Sequence, residues 1–224
     1  MFKHEPVDLG YTDLVSNTTP NGRTYALPPN DHGRQSLPSI TTILSLQSKE
    51  AIDAWKKRVG HDVAKQIGYR ASTRGTAVHE MAERYVNNDP LWDKAMPNIL
   101  GDFMSIKPIL DNRLTTVYGQ ELPLYSTHLG VAGRVDCIGI FDGKISIIDY
   151  KTSSKPKKYE WVKSYFMQEC FYAIAFEERT GIPVTQLVTI IAVDNNEPQV
   201  FIEERDNWDT ELIRCIKEYK DEKG

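Results

Sequence analysis

The sequence predicts an α/β domain in which a central mixed β-sheet is flanked by helices. Three observations predict it. Apolar residues recur at helical spacing in the first half, a block of strand-like alternation follows, and a long helical pattern then separates this block from two further strands. The 224 residues are of single-domain size, and the 40% apolar content is enough to form a core. The chain is therefore predicted to form one domain, 1–224.

The first half of the chain is predicted to be mostly helical. Residues 1–38 are rich in Pro, Asn, Gly and Thr, and we expect an irregular segment there with a short hairpin near Arg23. Residues 39–113 form a helical region. Its predicted helices cover 40–46, 48–69, 72–87 and 98–113. Ser48 is the expected N-cap of the second of these helices.

The second half is predicted to hold the sheet. Residues 114–205 form a core of strands with one long helix, and residues 206–224 a closing amphipathic helix. The predicted strands are 116–125, the two arms of a hairpin within 129–151, 187–193 and 200–203. The long helix covers 159–178, and Gly181 follows it as the expected C′ residue.

Composition limits the classes of function. The net charge is −4, so any nucleic-acid contact must come from a local basic patch. Cys137, Cys170 and Cys215 form no C-x-x-C pair, which argues against a disulfide framework, a zinc site or an iron–sulfur cluster and favours a reducing compartment. No apolar run reaches membrane-spanning length and the N-terminus lacks a signal-peptide core. We expect a cytoplasmic monomer with no membrane partner.

The hairpin carries the strongest chemical signal. Asp142 and Gly143 lie between two apolar runs, which predicts a two-residue type I′ turn. Such a turn places Phe141 opposite Lys144 and thereby sets the register of both arms. Counting outward from the turn brings charged residues of the two arms together.

Asp136 is predicted to lie directly opposite Asp149, at a non-hydrogen-bonded position, with Lys151 on the same face. Two carboxylates about 5 Å apart at an effective dielectric of about 20 repel by about 3 kcal/mol. A bound divalent cation converts this repulsion into chelation, and oxygen ligands suit Mg²⁺ or Mn²⁺. The alternative is a solvated hairpin end. Glu121, in the preceding strand, is a candidate for an additional acid at the site.

Other positions carry weaker signals. His79 flanks the apolar stripe of its helix and is either a structural residue or a metal ligand. Gln168 and Tyr172 lie one turn apart on the long helix and therefore share a face. Thr152 and Ser153 either contact phosphate or form the turn into that helix.

A basic stretch leads into the long helix. Its lysines include Lys155, Lys157 and Lys158. The aromatic residues Tyr159 and Trp161 lie between these lysines and Lys163. Basic residues mixed with aromatic ones suit the backbone and bases of a nucleic acid. A solvated turn is the alternative.

Several of these segments resemble a known family. The run Gly133-Arg134-Val135-Asp136, followed by Asp149-Tyr150-Lys151-Thr152-Ser153, resembles the core signature of the PD-(D/E)XK nuclease superfamily. His79 upstream and the Gln168–Tyr172 pair downstream resemble motifs of its RecB-type branch. Within this branch the chain most resembles the family of the mitochondrial genome maintenance exonuclease and its phage-encoded relatives. The resemblance extends from residue 23 to the end of the long helix.

The resemblance implies a restriction-endonuclease-like core with an N-terminal helical extension, and a role for each matched residue. The metal ligands would be His79, Asp136, Asp149 and the carbonyl of Tyr150. Lys151 would be catalytic together with the two aspartates. The DNA-binding residues would be Arg74, Gln168 and Tyr172, joined by Thr152, Ser153 and the three lysines of the basic stretch.

The function expected from these observations is metal-dependent DNA hydrolysis. The substrate would be single-stranded DNA with a free end, degraded by an exonuclease in replication, repair or recombination, with Mg²⁺ or Mn²⁺ and without an iron–sulfur cluster. A phage or bacterial setting would place the enzyme in the bacterial cytoplasm. Two alternatives stay open: an end-processing nuclease on duplex or branched DNA, and a DNA-end-binding protein without activity.

Overall fold

The computed structural model describes residues 1–29 and 36–223. The described strands are, in chain order, β1 (Lys3–His4), β2 (Ser16–Thr19), β3 (Gly22–Ala26), β4 (Ser36–Pro38), β5 (Leu114–Ser126), β6 (Val131–Phe141), β7 (Lys144–Ser153), β8 (Gln186–Val193) and β9 (Gln199–Glu204). The described α-helices are α1 (Ile40–Val59), α2 (His61–Val86), α3 (Pro97–Arg113), α4 (Lys163–Thr180) and α5 (Asp209–Lys223).

A six-stranded mixed sheet is the centre of the fold. Its strand order is β1-β5-β6-β7-β8-β9. The β1–β5 and β7–β8 pairs are parallel and the other neighbouring pairs are antiparallel. Every residue of β8 is buried, because this strand lies between two others and is covered on both faces. The hairpin turn has φ of +51° at Asp142 and +79° at Gly143, as a type I′ turn requires.

Helices cover both faces of this sheet. One face packs against α1, α4 and α5 through a core that includes Ile40, Ile43, Phe166, Phe171 and Leu212. The opposite face packs against α2 and α3 through a second core that includes Val78, Met81, Phe103 and Ile106. The predicted α/β fold class is therefore confirmed. No helix among the described residues is long and apolar enough to cross a membrane.

The N-terminal segment is more regular than the sequence predicted. Strands β2, β3 and β4 form an antiparallel sheet of their own, and the expected hairpin near Arg23 is its β2–β3 pair. Irregularity was predicted from turn-forming residues, but β3 pairs with β4 across residues 27–35, which carry no two-residue hairpin signal. Residues 30–35, part of the segment predicted to be irregular, lie outside the described residues.

The boundaries of the first two long helices also differ from the prediction. Ser48 lies inside α1 instead of capping a new helix, and the break falls at Gly60, whose φ of +89° no helical residue adopts. Around this break the helices project from the body of the protein. Residues 48–73 are almost entirely exposed, including the apolar side chains of Ile52, Val63 and Ile67. We call this region the projecting hairpin.

A glycine allows β6 to pack closely against the helices beneath it. A Cβ added at Gly133 would lie 2.8 Å from Cε1 of Tyr172 and 3.2 Å from Cγ2 of Ile40, both of which are buried. We predict that Gly133→Ala lowers the free energy of unfolding by about 1–3 kcal/mol, because the core must shift to accept the methyl group.

Urea denaturation measures this change, with Gly101→Ala in α3 as the matched control. A Cβ at Gly101 meets nothing within 4 Å, so that substitution should raise the free energy of unfolding by about 0.5–1 kcal/mol through helix propensity. Equal stability of Gly133→Ala and the wild type would contradict this packing.

Candidate active site

The strands β6 and β7 separate where the charged residues begin. The predicted register holds from the turn as far as the Cys137–Ile148 pair. The pairing ends there, so Asp136 and Asp149, which were predicted to face each other at the next position, are not paired. Instead Oδ2 of Asp136 accepts a hydrogen bond from the backbone N–H of Tyr150 at 2.9 Å. A side chain thus connects the strands at the point where their backbones no longer pair.

The alternation of side chains reverses at this position. Val135 and Ile138 both belong to the core beneath α4, although residues three apart in a regular strand point to opposite faces. Cys137 belongs to the core beneath α2 and α3. Asp136 is therefore a local kink in β6, and the separation of β6 from β7 at this position accompanies the kink.

The neighbouring strand is distorted at the same level. Glu121 of β5 stands across from Asp136, and the pairs on either side of this level are formed while this one is not. Glu121 has a φ of +49°, an unusual conformation for a residue other than glycine. Its carbonyl accepts a hydrogen bond from Nη1 of Arg134 at 2.6 Å, and the same guanidinium forms an ion pair with Asp13. Arg134 thus holds the distorted backbone in place.

Helix α2 contributes a histidine to this kink. Nδ1 of His79 lies 3.2 Å from Oδ2 of Asp136, and its ring meets the Tyr150 ring edge-on. Burial opposes protonation of His79, but the charge and hydrogen bond of Asp136 outweigh it and raise the pKa of the imidazole. Burial likewise opposes ionisation of Asp136, yet His79 and Lys151 together lower the pKa of its carboxyl group.

Asp149 and Lys151 form a second charged group on β7. Asp149 is 1% exposed, and its Oδ2 forms an ion pair with Nζ of Lys151. The Oδ1 atom of Asp149 has no hydrogen-bond partner among the described residues. Burial, followed by the charge of Asp136, raises the pKa of Asp149 to about 6 despite the nearby lysine. Nζ of Lys151 also lies 5.2 Å from the centre of the Tyr165 ring.

The donor atoms at the kink fit a divalent metal ion. His79, Glu121 and Asp136 each offer one ligand atom, and these atoms lie within 4.8 Å of one another. Asp149 adds a buried carboxylate oxygen that has no hydrogen-bond partner among the described residues. Carboxylate oxygens are the ligand type that Mg²⁺ and Mn²⁺ prefer. Of the ligands predicted from the sequence, His79 and Asp136 belong to this group. Asp149 is turned toward Lys151, and Tyr150 reaches the group through its backbone N–H.

A cleft of about 700 Å³ opens onto these residues. Its walls come from the N-terminal sheet, the start of α1, the C-terminal half of α2 and one side of α4. The lining residues include Arg23, Tyr25, Ser39, Gly75, Thr76, His79, Glu121, Asp136, Gln168 and Tyr172. The site therefore opens onto a cleft bordered by these four elements.

The structure brings the predicted helix pair to this cleft. Nε2 of Gln168 lies 3.2 Å from Oη of Tyr172, with the amide as donor, and both residues line the cleft. Tyr172 is buried against Gly133, so this pair also positions the strand that carries Asp136.

The other predicted DNA-binding residues lie in differing environments. Arg74 is held by Asp102 and Asp194, each with a 2.6 Å contact, so much of its hydrogen-bonding capacity is used within the protein. Ser153 donates to the carbonyl of Lys155 at 2.6 Å and thereby shapes the turn. Thr152 lies beside Gly75 of α2. The roles of these residues in DNA binding stay predictions.

The basic stretch is free of ion pairs within the described part of the chain. Lys155 and Lys158 are exposed, and Nζ of Lys158 lies 5.5 Å from the centre of the Trp161 ring. The backbone N–H and carbonyl of Lys157 both bond to the side chain of Gln199, which fixes the stretch against β9. Its charges thus remain available at the end of β7.

Sequence reasoning missed Glu169, a residue of α4. It is fully buried, Oε1 accepts a hydrogen bond from Thr189, and Oε2 has no partner among the described residues. Burial and then the charge of Asp149 raise the pKa of Glu169 well above its ordinary value. The only available signal was an acid next to Gln168 on the predicted long helix.

Comparison with known proteins gives a family match. The model of the PD-(D/E)XK nuclease superfamily matches residues 109–223, half of the chain. Mitochondrial genome maintenance exonuclease 1 of Homo sapiens is 28% identical over 136 residues, covering 56% of this chain and 39% of that protein. Its namesake from Xenopus tropicalis is 27% identical over 144 residues, covering 60% of this chain and 41% of that protein.

The chain therefore spans about two fifths of the length of the curated relatives it matches. A solved structure of a candidate exonuclease from Eubacterium rectale has a TM-score of 0.47 at 13% identity, over 64% of this chain and 63% of that chain. The resemblance inferred from the sequence motifs is confirmed by the superfamily match.

The buried ion pair at the site yields a stability prediction. We expect Lys151→Met to lower the free energy of unfolding of the metal-free protein by about 2–3 kcal/mol, because it leaves the buried Asp149 carboxylate without its cation. In the double variant Lys151→Met/Asp149→Asn most of this loss should be recovered, since no buried charge is then left alone.

Urea denaturation in EDTA measures the free energy of unfolding of the wild type, of Lys151→Met and of the double variant, with Lys144→Met as control. Lys144 lies on the same strand but pairs with Glu204 at an exposed position, so its removal should cost about 0–1 kcal/mol. A double variant no more stable than Lys151→Met would contradict the pairing.

Proposed function

The chain belongs to the PD-(D/E)XK nuclease superfamily of hydrolytic nucleases, and on this premise we propose that it is a metal-dependent DNA exonuclease that degrades single strands from a free end. The curated relatives are named as exonucleases, which supports the mode of attack proposed for this chain. The single observation that carries the proposal is the convergence of Asp136, Asp149, Lys151 and His79 where β6 and β7 separate.

Each of these side chains has a role that follows from its contacts. Asp136, Asp149 and His79 would hold Mg²⁺ or Mn²⁺, and the carbonyl of Tyr150 is the fourth proposed ligand. When bound, such an ion stabilises negative charge on the scissile phosphate and lowers the pKa of a water molecule. Lys151 carries a fixed positive charge beside Asp149, because the aspartates raise the pKa of its ammonium group although burial lowers it. We propose that Lys151 neutralises charge that develops on the phosphate.

The form of the cleft supports a single-stranded substrate. Four elements border the approach to Asp136, and a flexible single strand can follow such a cleft more readily than a stiff duplex. Aromatic rings and lysines follow the site along the chain, in the combination that binds bases and backbone of single strands.

The projecting hairpin supplies a second basic surface near the cleft. Residues 48–73 contain six basic residues and three acidic ones, in a chain whose overall charge is −4. This local excess of positive charge suits a polyanion. We propose that the hairpin guides the free end of a strand toward the cleft, and that the basic stretch at Lys155–Lys158 contacts the strand on the other side.

The setting of this activity is also part of the proposal. We propose a monomer that acts in the cytoplasm, in DNA replication, repair or recombination. All three cysteines are buried and free, which suits a reducing compartment.

Substitution of the site residues tests the assignment. We expect Asp136→Asn, Asp149→Asn and Lys151→Ala each to lower the rate of cleavage by about 10²–10³-fold or more, because each removes a charge that acts on the metal ion or the phosphate. Release of labelled nucleotides from a linear strand, with MgCl₂ or MnCl₂ and with EDTA, measures the rates. Circular dichroism confirms the fold of each variant.

The matched control is Lys144→Met, a lysine removed from the other end of β7. It should cleave at the wild-type rate. If Asp136→Asn, Asp149→Asn or Lys151→Ala does the same, the proposed site is wrong for that residue.

Covalently closed circles test the requirement for an end. We expect a linear single strand to be degraded rapidly and a circle of the same sequence to persist, because a circle has no terminus to enter the walled cleft. A blunt duplex of the same sequence, with one strand labelled, should be degraded more slowly than the linear strand. Equal rates on circle and linear strand would show an endonuclease, and faster cleavage of the duplex would favour a duplex-processing enzyme.

A further inference from the structure

We propose that Glu121 is a direct metal ligand, which together with His79 and Asp136 forms a three-residue site built from β5, α2 and β6. This inference rests on the proposed metal-dependent function and adds to it a ligand from a strand outside the β6–β7 hairpin. It names a carboxylate that lies outside the matched sequence motifs.

The geometry supports this assignment. The ligand atoms of His79, Glu121 and Asp136 lie within 4.8 Å of one another, close enough for one ion to contact all three. All three residues line the same cleft, so an ion and a substrate phosphate can reach them. Asp149, whose buried Oδ1 has no partner, lies on the adjacent strand and is coupled electrostatically to both His79 and Asp136.

The backbone is arranged to present this side chain. Glu121 adopts a left-handed conformation that a glutamate rarely occupies, at the level where Asp136 interrupts the pairing of β6. Arg134 stabilises the distortion through the carbonyl of Glu121 and not through its carboxylate. The guanidinium therefore fixes the backbone of the residue, while the carboxylate lies near the ligand atoms of His79 and Asp136.

The charges at the kink are incomplete without a cation. Among the residues that the structure describes, no lysine or arginine forms an ion pair with the Glu121 carboxylate. The nearby His79 already pairs with Asp136. Glu83 of α2 adds a further negative charge to the same cleft. Carboxylates crowded in this way repel one another, and a divalent cation between them removes the repulsion.

Metal binding, measured without reference to catalysis, tests this proposal. The probe is MnCl₂, followed by isothermal titration and by thermal unfolding in MnCl₂ and in EDTA. We expect Glu121→Gln to weaken Mn²⁺ binding by about tenfold or more, since loss of even an outer-sphere partner costs about 10–100-fold. Its melting temperature in EDTA should equal or exceed that of the wild type, and its increase in MnCl₂ should be much smaller.

Two further variants separate coordination from charge. Glu83→Gln removes a carboxylate from the same cleft but not from the three-atom group, and it should bind Mn²⁺ like the wild type. Glu121→Asp keeps the charge but withdraws the carboxylate by one methylene, and it should bind Mn²⁺ weakly. Wild-type affinity in Glu121→Gln, equal weakening by Glu83→Gln, or no Mn²⁺ binding by the wild type would each overturn the proposal.

The outcome is distinguishable from a failure of the proposed function. If DNA is not cleaved but Mn²⁺ binding depends on Glu121, the metal site stands and the nuclease proposal falls. If DNA is cleaved and Mn²⁺ binding does not depend on Glu121, the nuclease proposal stands and the ligand assignment falls.

Discussion

The hydrogen bond between the Asp136 carboxylate and the Tyr150 backbone is the constraint on which the site depends. In a regular hairpin, the backbone pairing of β6 and β7 would continue, and Asp136 would lie opposite Asp149. Because a side chain replaces the backbone contact there, the strands can separate without leaving the Tyr150 N–H unsatisfied. The gap lets His79 of α2 reach Asp136 and leaves Asp149 facing Lys151 and the α4 side. The kink at Asp136 and the distortion at Glu121 lie at the same level of the sheet as this hydrogen bond, and all three border the cleft.

The hairpin was predictable because its determinants are local. Asp142 and Gly143 set the turn, the turn set the register, and the register placed Asp136 and Asp149 at the same end of two adjacent strands. The motifs that carry the family resemblance lie within these strands and the helices beside them. Fold class was therefore within reach of the sequence, as were the register next to the turn and the C′ role of Gly181, which has a φ of +72°. The roles of the site residues stay predictions.

The remaining features depend on contacts between distant segments. The reversal at Asp136 requires β5 to distort at the same level, and the distortion is held by Arg134 together with Asp13 of the N-terminal segment. Arg74 looked available for DNA, but its partners Asp102 and Asp194 come from other elements. Ser48 has the chemistry of an N-cap, yet the helix continues through it to Gly60. For Asp136 and Arg74, tertiary contacts decide between options that local propensity leaves equal. The helix break at Gly60, by contrast, lies in the exposed projecting hairpin.

The site contains more acid than its own cations balance. Burial raises the pKa of Glu121 to about 7 and that of Asp149 to about 6, while Asp136 remains ionised because His79 and Lys151 lie beside it. Apolar residues of similar size would give a more stable sheet at this position, because buried charges rarely recover their cost of desolvation. Glu169 extends the same pattern into α4, where burial raises the pKa of a further carboxyl group well above its ordinary value. A fold that concentrates four acids at one strand separation, and fixes one of them with a strained backbone, gives up stability for the ability to bind a cation there.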